Sequence, residues 1–163
     1  MTYSYDEENS RYVLKNAQIQ FTNFSGQENE FNAAGKRNFK VIIDEELARE
    51  LQEQGVRVSE LRRRDDTEPV RFSVKVGVYS TSEMFLLSGS TRKELTLDTC
   101  GLIDMEIRKG HVKQGQIAME FHVSTNTRLA RPTPYIRLDT LFVPIGKSQL
   151  KAEYDDYEDV EDL

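Results

Sequence analysis

Residues 71–79 alternate without a break. Phe72, Val74, Val76 and Val78 face one way; Arg71, Ser73, Lys75, Gly77 and Tyr79 face the other. A period of two belongs to an extended strand with one buried face, because successive Cβ atoms leave opposite sides of the backbone. The period recurs where Ala17, Ile19 and Phe21 oppose Gln18, Gln20 and Thr22, and again where Phe39, Val41 and Ile43 alternate with Asn38, Lys40 and Ile42. Further short strands are expected at 84–88, 93–98, 103–108, 116–124 and 135–143, each bounded by Gly, Ser or Pro turns. One helix is expected. Asp44 is a suitable N-cap, Glu45 and Glu46 suit the positive end of the helix dipole, Leu47, Ala48 and Leu51 form one apolar stripe, and Gly55 stops it. Many short strands and one helix point to a small antiparallel barrel or sandwich rather than a layered α/β enzyme. The expected organisation is a flexible polar arm (1–12), a folded body (13–146) and a disordered acidic tail (147–163).

The formal charge of −6 argues against a nucleic-acid partner only until it is divided along the chain. Residues 151–163 hold seven acids and one lysine, which is −6; the other 150 residues hold 21 acids and 21 bases. Between residues 107 and 150 there are seven bases, Lys113 among them, against two acids. The body is therefore neutral overall and basic toward its C-terminal half. Thirteen residues so rich in acids repel one another and offer little to bury, so the tail is not expected to fold alone. No apolar run approaches the roughly 18 residues of a membrane span. The acidic, polar N-terminus is the reverse of a signal peptide, so a cytoplasmic protein is expected.

Catalytic patterns are weak. Cys100 stands alone, and His111 and His122 leave little material for a metal site, so neither metal nor cofactor is expected. The chain has no Gly-rich phosphate loop, GxSxG elbow or HExxH. Asp104, Glu106 and Arg108 fall on one face of an expected strand, but Lys109 falls on the other. That pattern suits a solvated strand face better than the metal-dependent nuclease it superficially offers.

Binding of a single strand needs cations that track the phosphates and aromatic faces on which bases stack. The polar face of 71–79 offers Arg71, Lys75 and Tyr79, with Gly77 allowing close approach. The 124–137 region offers Arg128, Arg131, Tyr135 and Arg137, and the long early loop carries Phe24, Phe31, Lys36 and Arg37. Read alone, these residues also fit an ordinary exposed sheet face.

The stretch NFSGQENEFNAAGKRNFKVIID (23–44), the strand RFSVKVGVYS, the segment KQGQIAMEFHVST and the closing IRLDTLFVPI ahead of the tail together resemble phage-encoded single-stranded DNA-binding proteins. The resemblance implies a mainly β, OB-fold-like antiparallel β-barrel with one short helix after the second strand. It implies sequence-independent, non-enzymatic binding of single-stranded DNA in phage replication or recombination, in the bacterial host cytoplasm. Arg37, Lys75, Arg128 and Arg131 would track the backbone, helped by Lys36, Arg71, Lys113 and Arg137, while Phe31, Tyr79 and Tyr135 would stack on bases. In the tail, Tyr154, Asp155, Asp156, Tyr157, Glu158, Asp159, Glu161, Asp162 and Leu163 would compete for the groove and dock replication or recombination proteins. The alternatives are an interaction module or host-enzyme inhibitor whose acidic tail mimics DNA, and a phage structural barrel. An exposed barrel edge leaves a homodimer open.

Overall fold

Strands Arg11–Ala17 (β2) and Ile19–Asn23 (β3) are nearly one continuous stretch of chain, broken only at Gln18. The computed structural model describes residues 1–30, 32–128 and 130–146. The remaining elements are β1 (Thr2–Asp6), β4 (Arg37–Ile43), α1 (Glu45–Glu53), β5 (Ser59–Glu60), β6 (Phe72–Val78), β7 (Glu83–Ser88), β8 (Thr91–Leu95), α2 (Gly101–Arg108), β9 (Ile117–Thr125) and β10 (Pro134–Pro144). β3 pairs antiparallel with β4, β4 with β6, β10 with β9, and β9 with β2. The pairings thus lead from β3 back to β2, its own continuation, and the sheet curls around one core. This is the OB-fold-like arrangement, with α1 after the second barrel strand.

Two ladders depart from a purely antiparallel barrel. β10 runs parallel to β6 at Ile136 and Arg137, and parallel to β7 from Thr140 to Pro144. A register shift between Leu138 and Thr140 lets this strand serve both. β7 and β8 form a hairpin on its far half.

Inside the barrel, Leu14, Phe39, Val41, Val76, Met119, Phe121 and Leu138 are essentially fully buried. α1 forms as expected. The Asp44 carboxylate accepts the Leu47 amide at 3.1 Å, and Leu47, Ala48 and Leu51 are buried.

Three sequence expectations are corrected. Residues 103–108, expected as a strand, belong to α2. Ile103, Met105 and Ile107 alternate, but Leu102, Ile103 and Ile107 equally satisfy helical spacing, and Asp104 accepts the amides of Phe24 (3.2 Å) and Ser25 (2.9 Å), tying the helix to the end of β3. On a helix, residues two apart diverge. Asp104 and Glu106 accordingly serve different partners, Glu106 meeting His111 Nδ1 at 2.7 Å. The N-terminal arm, expected to be flexible, contains β1, which pairs along its whole length with β2. Tyr3 and Tyr5 pack near Tyr12, and Tyr3 donates to Glu50 of α1 at 3.2 Å. Their alternation was masked by the surrounding acids. Phe24, grouped with the loop aromatics, is fully buried and stacks on Phe39 at 5.2 Å.

Candidate nucleic-acid interface

The register across β4, β6, β10 and β9 decides which side chains share the outer face. Asn38 lies opposite Gly77, Lys40 opposite Lys75, and Ile42 opposite Ser73. Their neighbours Phe39, Val41, Val74 and Val76 point into the core. On β10, Arg137 lies beside Gly77 of β6 and opposite His122 of β9, while Tyr135 lies opposite Ser124. Lys40, Lys75, Gly77, Tyr135, Arg137 and His122 therefore occupy one continuous surface.

Gly77 has a specific use there. A Cβ at this position would lie 2.8 Å from Tyr79 Cε2 and 2.9 Å from its hydroxyl, so the missing side chain leaves room for the Tyr79 ring to fold over the strand. The Arg137 guanidinium sits 4.1 Å from the Tyr79 ring centroid, and the Tyr135 ring 6.4 Å from it. A planar guanidinium against an aromatic face favours such stacking. Burial pushes the Tyr79 phenol up, while hydrogen bonds from Ser124 and Arg137 pull that of Tyr135 down.

Charge divides this surface. Toward β2 the acids are occupied: Arg11 pairs with Glu120 and Asp139, both at 3.5 Å, and His122 Nδ1 meets Asp139 at 2.9 Å. Among the described residues, no ion pair involves Lys40, Lys75 or Arg137. Lys40 and Lys75 face each other across a ladder, an arrangement of like charges that is unfavourable in the free protein. An anion laid along the face removes that repulsion.

Of the residues singled out from sequence, Lys75, Tyr79, Tyr135 and Arg137 come together here. Arg128 and Arg131 are exposed in loop 126–133, which leaves the Tyr135 end of the face. Arg71 is exposed one residue before β6, and Lys36 is exposed just before β4. Arg37 is partly built into its loop. Its Nη1 donates to the Gly35 carbonyl at 3.3 Å, its Nε is buried without a hydrogen-bond partner among the described residues, and its side chain packs over Gly26. Lys113 is set apart, because its amide bonds the Pro144 carbonyl at the end of β10 opposite to Tyr135. Phe31 and tail residues 147–163 lie outside the described residues.

Lys40 and Phe21, which meet at this face, were not among the sequence candidates. Lys40 was visible as the polar partner of Phe39 and Val41, and only its position opposite Lys75 gives it significance. Phe21 was expected on the buried face with Ala17 and Ile19, yet it is 72% exposed.

A family described as "Putative phage ssDNA-binding domain" matches residues 3–93. No curated protein matches. Among solved structures, the chain is similar to the single-stranded DNA-binding protein of bacteriophage Enc34. Against that protein in complex with ssDNA the TM-score is 0.55 at 10% identity, covering 86% of this chain and 89% of the other. Against a second structure of the Enc34 single-stranded DNA-binding protein the TM-score is 0.55 at 8% identity, covering 96% of this chain and 98% of the other.

Proposed function

The chain belongs to the phage single-stranded DNA-binding domain family matched over residues 3–93, and from that premise we propose that its Lys40–Lys75–Arg137 face is where the DNA lies. The observation that carries this reading is the pair of facing lysines, in no ion pair among the described residues, beside the Tyr79 ring with Arg137 stacked on it and Tyr135 tilted next to it. Cations along β4, β6 and β10 take the phosphates, the tyrosines take the faces of bases, and Arg128 and Arg131 extend the track from the adjoining loop. Every base has a π-face and every nucleotide a phosphate, so this chemistry carries no sequence preference. The role is non-enzymatic and belongs to phage replication or recombination in the host cytoplasm.

The experiment is fluorescence anisotropy of a labelled oligo-dT against duplex competitor over a range of salt. Expected are preference for the single strand and a log–log salt slope of about −0.7 per phosphate contact. A salt-independent affinity, or no binding, would exclude phosphate tracking.

Residues 147–163 act as an exchangeable competitor for the basic face and as a docking arm for replication or recombination proteins. The support is the charge division, −6 on residues 151–163 against a neutral body. Deleting 151–163 is expected to tighten oligo-dT binding, most strongly at low salt where attraction is least screened. Unchanged or weaker binding by the truncated chain rules out the competitor.

A further inference from the structure

β3 contains one residue more than its partner can match. Gln20 lies opposite Lys40 and Asn23 opposite Asn38, so the three steps along β3 cover two along β4. At this bulge Phe21 has φ +49°, a left-handed conformation that a residue with a bulky side chain adopts only at a cost. The bulge turns the ring away from the core that holds Ile19 and leaves it 72% exposed. The ring then stands beside Lys40, whose Nζ is 5.7 Å from its centroid. Lys40 lies opposite Lys75, so the ring borders the cationic face.

Among the described residues, the free fold repays this arrangement with little beyond the exposed contact between the ring and Lys40. The ring buries little surface, and a small polar residue such as Asn would suit the backbone better. Unfavourable backbone retained at one point marks a position held for a ligand more often than for stability.

We propose that Phe21 and Lys40 form a nucleobase-stacking subsite, the ring taking the face of one base and Lys40 the adjoining phosphate. The subsite rests on the reading of this face as the single-stranded DNA site. β3 and β6 are separated by β4, about 10 Å at the usual strand spacing. Phe21 therefore holds a different base of the strand from the one stacked on Tyr79.

Two variants test it. Phe21→Asn removes the ring and accepts the positive φ. Phe21→Trp keeps an aromatic face and supplies the only tryptophan in the chain. Expected for Phe21→Asn is a loss of oligo-dT affinity of about 5- to 150-fold, the range that one stacked base is worth. Its salt slope stays that of the wild type, because no phosphate contact is removed, and its thermal midpoint is unchanged or higher. Phe21→Trp retains affinity, and its emission is quenched by oligo-dT but not by an abasic deoxyribose-phosphate strand of equal length. Wild-type affinity in Phe21→Asn, a marked fall in its thermal midpoint, or emission that ignores bound dT would each overturn the subsite while leaving the face intact. Failure of the wild-type chain to bind oligo-dT overturns the face and the subsite together.

Discussion

Reversing both facing lysines, Lys40→Glu with Lys75→Glu, is expected to lower oligo-dT affinity by about 100-fold or more at low salt. Each lysine supplies one charge-assisted contact worth about 1.5 kcal/mol at the low end, and two such contacts make roughly two decades in the dissociation constant. Repulsion from the new carboxylates adds to the loss. With two fewer phosphate contacts, the log–log salt slope should become shallower by about 1.4. The single variant Lys75→Glu separates binding from folding. It converts the like-charge pair opposite Lys40 into an opposite-charge pair, so stability should rise by a few tenths of a kcal/mol, up to about 1, while DNA affinity falls. Equal affinity in the double variant and the wild type, measured by anisotropy, would place the DNA elsewhere.

The largest effect on folding is expected from Phe39→Ala. Phe39 is fully buried, stacks on Phe24 at 5.2 Å with the planes 20° apart, and lies between Asn38 and Lys40 on the strand that carries the interface. Removing a buried phenyl ring costs about 3–5 kcal/mol through lost transfer free energy and the cavity left behind. Against the 5–15 kcal/mol typical of a domain, that is a large share of total stability. Urea denaturation should show a much lower midpoint with little change in slope. A loss below about 1 kcal/mol would contradict a ring packed at the centre of the barrel.

These two outcomes depend on parts of the structure that the sequence exposes unequally. The strand at 72–78 was legible because one buried face forces a period of two, and the same logic placed Lys75 and Tyr79 on the outside. The helix after Ile43 was legible because Asp44, the first-turn acids and Gly55 all mark its ends. Residues 102–107 were not, because Ile103, Met105 and Ile107 alternate while Leu102, Ile103 and Ile107 suit a helix. Capture of the Phe24 and Ser25 amides by Asp104, a contact spanning about eighty residues, accompanies the helical choice. The parallel ladders of β10 were equally hidden, since pairing between distant strands leaves no local pattern.

The interface was legible in its residue types but not in its geometry. Arg137 counted as one base among several until β10 placed it beside Gly77, against the Tyr79 ring. Lys113 looked equivalent by composition and lies at the other end of the strand. Phe21 looked like core because alternation counts residues evenly, and a bulge breaks the count. Long side chains at alternating positions identify a face; only the register shows which of them meet.

The most direct measurement of the central claim is a backbone amide NMR titration of the full chain with unlabelled oligo-dT. The expected result is perturbation concentrated on Asn38 and Lys40 of β4, Lys75 and Gly77 of β6, Tyr135 and Arg137 of β10, and loop 126–133. The β7–β8 hairpin and the surface of α1 should remain unchanged. Perturbations centred on β7, β8 or α1, with the Lys40–Lys75–Arg137 surface silent, would contradict the account.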